Sequence, residues 1–320
     1  MTKHSILLFL ILISFSACSD RLKLENRREE ITIDLINELN TDSLQSYVEW
    51  MQNMGTRFCL AENRREVAID LRDKLGGFGY DNARLDSFLL EVRYRGVDYS
   101  LWQYNVIAVL EGTVYPDSLS VLGGHYDSIL SGTDSDPFSA APGAHDNASG
   151  IAAMLETARV MKDNEFEPEG SVVFIAFGAE ELGLHGSAYY CRQAALSSAK
   201  IKLMLNNDMI AYETGTDEYD WWVNVMDYDN SGSLLAEAES LASGYTSLNT
   251  YNDNELNRYS DSYSFSRYGY PSLFFFKDDH DPNYHSLNDR TENCNFDYCR
   301  EVTAICVALL VKKNIYKPGD

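Results

Sequence analysis

The sequence predicts an α/β sandwich built on a mostly parallel central sheet. Three observations predict it. Short apolar runs of strand character alternate with amphipathic helical stretches along most of the 320 residues. One run, Ser171 to Phe177, is apolar almost throughout, as in a strand buried on both faces. Several runs end directly before His, Asp or Glu, and an open α/β sheet binds its ligands beyond the carboxyl ends of its strands.

The elements follow in order. Val67, Ala68, Leu71 and Leu75 recur at helical spacing and define a helix over 61–75, closed by Gly76-Gly77. Extended segments occupy 84–94 and 101–110. Val121-Leu122-Gly123-Gly124 is a short apolar run leading to His125. Residues 129–143, rich in Ser, Gly, Asp and Pro, form a loop. Helical periodicity returns over 148–162, and the buried strand 171–177 comes next. A helix at 186–196, strands at 201–206 and 221–226, a helix at 231–243, a strand at 271–276 and a long helix at 296–313 complete the pattern.

No repeat or composition break divides the chain after residue 41, so 41–320 reads as one domain. Residues 1–17 read as a signal peptide. Lys3 and His4 precede an apolar run from Ile6 to Ile13, then Ser14-Phe15-Ser16-Ala17-Cys18. That run is too short to span a bilayer, which needs about 20 residues. The small residues before Cys18 resemble a bacterial lipoprotein cleavage box, with Phe15 where Leu is usual. Residues 18–40 then read as a lipidated or flexible tether, and the expected location is the bacterial cell envelope or the exterior. A net charge of −23 argues against nucleic acid or an anionic membrane surface as partner. The cysteines after Cys18 form no CxxC pair, which argues against a thiolate metal site. Cys294 and Cys299 are close enough in sequence to form a disulfide in an exported protein.

Five short stretches carry the chemistry: Gly124-His125-Tyr126-Asp127-Ser128, His145-Asp146-Asn147-Ala148-Ser149-Gly150, Ala179-Glu180-Glu181-Leu182-Gly183, Asn206-Asn207-Asp208-Met209 and Tyr284-His285-Ser286. Each is weak alone. His125 and Asp127 point to one face of an extended segment. Asp146 could be a helix cap, Glu180-Glu181 a solvated pair, Asp208 a turn residue and His285 an exposed loop histidine. Together they offer two imidazoles and three or more carboxylates. That set suits two divalent ions sharing a carboxylate, with a spare Glu to take a proton from water. His145 reads as a neighbour of the site rather than a ligand, and composition does not separate His285 from His280. Tyr212, Tyr219, Trp221 and Trp222 read equally as pocket walls or as packing.

In this order and spacing the stretches resemble the co-catalytic di-zinc aminopeptidase family, which includes secreted bacterial leucine-type aminopeptidases and relatives of glutamate carboxypeptidase. The resemblance spans roughly 55–315 and includes Gly55-Thr56-Arg57-Phe58, Asn105-Val106-Ile107-Ala108 and Ser260-Asp261 with Gly269-Tyr270-Pro271. It implies a three-layer α/β/α sandwich of zinc exopeptidase type, with a mixed, mostly parallel sheet. It implies that His125 and Asp208 hold one zinc, that Glu181 and His285 hold a second, and that Asp146 bridges them. Glu180 would be the general base, Asp127 would orient His125, and Tyr284 would stabilise the oxyanion. A cis peptide bond is implied after Asp146. His145 departs from the acidic residue often found there, and Ser262 from a His. The substrates implied are peptides with a free N-terminus. Two other readings use the same scaffold: a glutaminyl-peptide cyclotransferase with one zinc, and a non-catalytic ectodomain. Retention of Asn147, His125 and Asp127 favours two metals.

Overall fold

The computed structural model describes residues 22–132, 135–277 and 281–315. The expected signal peptide, Cys18 and His280 lie outside these. Among the described residues, eight strands hydrogen-bond into one mixed sheet. They are β1 (Arg84–Tyr94), β2 (Val97–Leu110), β3 (Tyr115–His125), β4 (Gly170–Phe177), β5 (Lys200–Asn207), β6 (Trp222–Met226), β7 (Asn249–Tyr251) and β8 (Ser272–Phe276). Their order is β1-β2-β4-β3-β5-β8-β6-β7. The four central strands, β4, β3, β5 and β8, run parallel, while β1, β2 and β6 meet their inner neighbours antiparallel. The sandwich is therefore parallel where the site forms and mixed at its flanks, as the resemblance implies.

Strand β4 shows why the chain folds this way. All eight of its residues are buried. Val172, Phe174 and Ala176 enter the main core, while Val173, Ile175 and Phe177 enter a second core on the opposite face. Period-2 alternation thus feeds two apolar layers from one continuous apolar run. The main core is covered by α1 (22–37), α2 (Thr41–Gln52), α3 (Arg64–Gly77), α4 (Ser149–Asp163), α6 (Gly232–Tyr245) and α8 (Phe296–Asn314). The other face is covered by α5 (His185–Leu196) and α7 (Ser262–Arg267), through Cys191, Ala194 and Phe265. This makes three layers.

Register brings the functional strand ends level. His125 lies opposite Phe177 across β3 and β4, Gly123 opposite Asn206 across β3 and β5, and Asn207 opposite Phe275 across β5 and β8. His125, Glu180 and Asp208 consequently emerge at one edge of the sheet although they are far apart in sequence.

Several elements differ from the sequence expectation. The segment expected as a tether is helical over 22–37, and Leu24, Thr32, Leu35, Ile36 and Leu39 are buried. Its charged residues conceal this apolar stripe in a composition reading. The helix is fastened at its end, since Arg159 donates to Glu38 O at 2.9 Å and Arg300 to Ile36 O and Leu39 O at 3.1 and 3.2 Å. Helix α2, not assigned from the sequence, buries Leu44, Tyr47, Val48 and Met51 and is capped by the Asn40 side chain, which accepts from Ser43 N at 2.9 Å. Strand β2 begins at Val97 because Arg95 and Gly96, at φ 47° and 84°, close a tight hairpin with β1. Gly76 and Gly77 lie inside the last turn of α3 rather than beyond it. Cys294 and Cys299 are free thiols: Cys299 is buried facing Ser149 O, and Cys294 faces Arg290 O.

The ring of Phe174, 0 % exposed, packs edge-on to Tyr80 at 5.6 Å between centroids. Phe174→Ala leaves a cavity at the centre of the main core and is expected to destabilise the protein by about 3–5 kcal/mol. Urea unfolding measures this as a lowered midpoint with an unchanged slope.

Candidate metal centre

The segment Ala144–Ala148 crosses from loop to helix with Asp146 and Asn147 in non-helical backbone, and the Asp146–Asn147 peptide bond is cis. Asp146, buried at 5 % exposure, meets two histidines with its two oxygens. Its Oδ1 lies 3.2 Å from His125 Nε2, and its Oδ2 lies 3.0 Å from His285 Nε2. His125 Nε2 is also 3.4 Å from Asp208 Oδ1, and His285 Nε2 is 3.0 Å from Glu181 Oε2. Two triads result, His125–Asp146–Asp208 and Asp146–Glu181–His285, each with ligand atoms within 4.8 Å of one another. All five residues expected to be ligands converge, and they do so as two sets sharing one carboxylate.

The surrounding contacts aim these groups. The ring N–H of His125, on Nδ1, points to the Asp127 carbonyl oxygen at 3.0 Å, which leaves Nε2 free to face the triad. The Asp127 carboxylate was the expected partner but is farther, at 3.6 Å. That carboxylate instead accepts the amides of Glu180 and Glu181, at 3.0 and 3.3 Å. Asp127 therefore holds the His125 ring with its backbone and the two glutamates with its side chain. Ser260 donates to Asp208 Oδ2 at 2.6 Å, which turns Oδ1 towards His125. The Ser131 hydroxyl lies 3.1 Å from His285 Nδ1. Asn147 accepts from Gly150 N and donates to Asn207 O, both at 2.9 Å, tying the Asp146 turn to the end of β5. The close approach needs glycine: a Cβ on Gly124 would sit 2.5 Å from Asn207 O and 2.9 Å from Asn147 Nδ2.

Left-handed backbone recurs at the site. Ala179 directly before Glu180, Met209 directly after Asp208, and His285 itself have φ of 60°, 56° and 50°. Such conformations are costly for residues with a Cβ and cluster where side chains must be aimed.

The electrostatics call for cations. Glu181 Oε1 and Asp208 Oδ1 are buried without a hydrogen-bond partner. Burial raises the Glu180 carboxyl well above its ordinary value; Glu181, Asp208 and Asp261 add to this while His125 opposes it. Burial also lifts Glu181 to about 7, with Asp146 adding and His285 opposing. Burial alone would lower both histidines, yet Asp208 and Glu180 hold His125 well above its usual value, and Asp146 and Glu181 lift His285 to about 10. His145 goes the other way: burial lowers it to about 4, and its Nδ1 accepts the Ala211 amide at 3.2 Å. It is a neutral neighbour, as read from the sequence.

Beside the triads opens a cavity of ≈ 400 Å³. Glu180 and Tyr284 line it on the polar side, and Met209, Leu256, Phe274 and Phe276 on the apolar side. Tyr284 stacks on the His285 ring at 3.8 Å. Burial first, then Asp146 and Glu181, push its phenol above the ordinary range, so it stays a proton donor. The aromatic residues considered as pocket walls lie elsewhere. Trp221 packs on Tyr298, Trp222 on Tyr251 and Tyr212 on His145, and Tyr219 is exposed. Ser262 contacts the Tyr228 hydroxyl at 2.9 Å. The sequence reading assigned no part to Ser131 or Asp289, because a hydroxyl or a loop carboxylate carries no signal until the fold places it.

A divalent ion must displace the protons that the metal-free histidines hold. His285, raised to about 10, is protonated at neutral pH and has to release its proton to act as a ligand. Apparent affinity for a divalent cation should therefore rise from about pH 6 to about pH 9, with proton release on binding. Calorimetry in buffers of different ionisation enthalpy measures both. Affinity independent of pH over that range would remove the histidines from the ligand set.

The profile of Peptidase family M28 matches residues 105–310, from within β2 to within α8, and so includes every ligand candidate. The chain is 28 % identical over 286 residues to leucine aminopeptidase 1 of Ajellomyces capsulatus (strain H88), covering 86 % of this chain and 72 % of that protein. Among solved structures, LapA aminopeptidase of Legionella pneumophila matches with a TM-score of 0.74 at 21 % identity, covering 91 % of this chain and 76 % of that one. Glutaminyl cyclase of Fimbriiglobus ruber matches with a TM-score of 0.71 at 19 % identity, covering 85 % and 95 %. At these identities the structural likeness is one of fold, shared by a hydrolase and a cyclase alike. The profile match spans well over half of the sequence and the whole of the site, and the chain belongs to peptidase family M28.

Proposed function

We propose that this protein is a zinc-dependent exopeptidase that removes residues from the free N-terminus of peptides. The observation that carries the reading is the Asp146 carboxylate, with one oxygen turned to each histidine. His125, Asp146 and Asp208 would hold one ion, and Asp146, Glu181 and His285 the other. The mix of imidazole and carboxylate donors suits zinc, and the unpartnered oxygens of Glu181 and Asp208 fit a cation between them and the histidines.

Ions held there would supply Lewis acidity to the scissile carbonyl and lower the pKa of a water. The remaining work falls to side chains of the protein. Glu180 belongs to neither triad yet lines the cavity, so it takes a proton from the attacking water and passes it to the departing amine. The Tyr284 hydroxyl donates to the carbonyl oxygen as charge develops on it. Asp127 keeps His125 and Glu180 in register through its carbonyl and carboxylate. The carboxylates draw the substrate's free ammonium group, and Met209, Leu256, Phe274 and Phe276 offer apolar surface to the first side chain.

A one-zinc cyclotransferase would have no use for a complete second triad, and a non-catalytic ectodomain none for either. Export with Cys18 as a lipid anchor belongs to the same reading and rests on residues 3–18 of the sequence.

Three measurements test this. Mass spectrometry of a peptide panel incubated with zinc-loaded protein should show loss of whole N-terminal residues from unblocked peptides and none from blocked ones. Loss of ammonia from Gln-initiated peptides alone would replace the reading by a cyclotransferase. Glu180→Gln should retain zinc and lose about 10²–10⁴-fold in kcat; full activity with zinc bound would remove Glu180 as the base. Tyr284→Phe should lower kcat by up to about 10²–10³-fold with KM little changed, read from steady-state kinetics on one peptide.

A further inference from the structure

The segment that carries Asp146 is a single helical turn, closed by one backbone hydrogen bond from Ala148 N to Gly143 O and broken at its centre. Gly143 is left-handed at φ 51°, and Asp146 and Asn147 leave helical geometry. Two buried side chains of opposite charge, belonging to neither triad, grip its backbone. Arg57, 1 % exposed, donates to Pro142 O from Nη1 and to Gly143 O from Nη2, both at 2.7 Å. Its Nε donates to Tyr126 O at 2.8 Å, the residue directly after His125. Asp289, 2 % exposed, accepts the His145 amide on Oδ1 at 2.7 Å and the Asp146 amide on Oδ2 at 3.0 Å. The Asp289 carbonyl accepts the Ala144 amide at 3.1 Å. Asp289 stands four residues beyond His285.

These contacts divide the segment between them. Arg57 takes the carbonyls of 142 and 143 and Asp289 the amides of 144, 145 and 146. Arg57 joins the segment to the strand end that bears His125, and Asp289 joins it to the loop that bears His285. Asp289 is also the carboxylate that attracts the Arg57 guanidinium most strongly. We propose that Arg57 and Asp289 are positioning residues that fix Asp146 between the two metal positions, an inference that rests on the two-ion reading above. A bridging carboxylate must present each oxygen at about 2.0–2.2 Å from its ion, so a small shift of the 146 backbone loses one of them. Charge matters as well as shape. Asn at 289 has one acceptor oxygen for two amides and turns an NH₂ against the other.

The test uses the full mature protein and its Asp289→Asn and Arg57→Lys variants. Leu309→Ala, in the core on α8, serves as a destabilised control remote from the site. Zinc affinity is measured by competition with a chromogenic chelator, the visible spectrum of the cobalt-loaded protein reports ligand geometry, and circular dichroism of the metal-free forms confirms folding. The expected result is wild-type binding of two ions. Asp289→Asn and Arg57→Lys should remain folded yet bind about 10–100-fold more weakly, with an altered cobalt spectrum and a kcat that falls while KM holds. Affinity and spectrum equal to wild type, or no weaker than in Leu309→Ala, overturn the inference and leave the two-ion reading intact. Should one variant fail to fold, the other decides. A wild-type protein that takes up fewer than two ions overturns the two-ion reading and this inference together.

Discussion

A concentration of buried negative charge governs this structure. Asp127, Asp146, Glu180, Glu181 and Asp208 meet at one point, with Asp261 and Asp289 buried close behind. Unpaired buried carboxylates are expensive, and several of these oxygens have found donors. Asp208 Oδ2 has the Ser260 hydroxyl, Asp127 has two amides and Asp289 has two more. Asp208 Oδ1 and Glu181 Oε1 have none, and neither has either oxygen of Asp261. Asp208 and Glu181 are members of the two triads, so part of this unsatisfied negative charge lies where a cation would sit.

The sheet supplies the convergence and the loops supply the aim. Parallel strands in register deliver His125, Glu180 and Asp208 to one edge because their carboxyl ends all point the same way. Strand ends alone would leave these side chains standing to one face of the sheet or the other. Left-handed residues at 179, 209 and 285, the cis peptide after Asp146 and the hydrogen bonds of Asn147 turn the chain at the points where it leaves regular structure. Backbone that is unfavourable locally is held in place by the rigid sheet behind it.

What was legible in the sequence follows from this division. Strand β4 was legible because it is buried on both faces and needs no polar partner. The five candidate ligands were legible as a set because His, Asp and Glu at strand ends carry chemistry in their identity. The resemblance then sorted them into two groups, which the residues alone left open. Asp289 and Ser131 were not legible, since their roles depend on which backbone atoms the fold brings within 3 Å or so. Arg57 was visible only within a motif, and its four carbonyl partners at 51, 126, 142 and 143 are a tertiary fact. Helix α1 was misread for a different reason. Its charges dominate the composition, while the stripe of Leu24, Ile31, Leu35 and Ile36 that docks it in the main core is a matter of period rather than content.

The apolar wall of the cavity has a structural origin that bears on its function. Strand β8 sends Leu273 and Phe275 into the main core, while Phe274 and Phe276 face the other way with their rings 5.3 Å apart, against Met209 and Leu256. The apolar lining of the cavity is thus the reverse face of a core strand. Tyr284 and His285 come from a loop instead, and Tyr284 is 49 % exposed at the mouth. The site has a strand-borne half, which carries His125 and Asp208, and a loop-borne half that brings His285 and a phenol over it. The loop half is fastened through Ser131 on the His285 ring and Asp289 on the Asp146 segment. An apolar wall excludes water and strengthens charge interactions across the cavity, so under the proposed function the strand-borne half makes the environment in which the groups on the loop would do their chemistry.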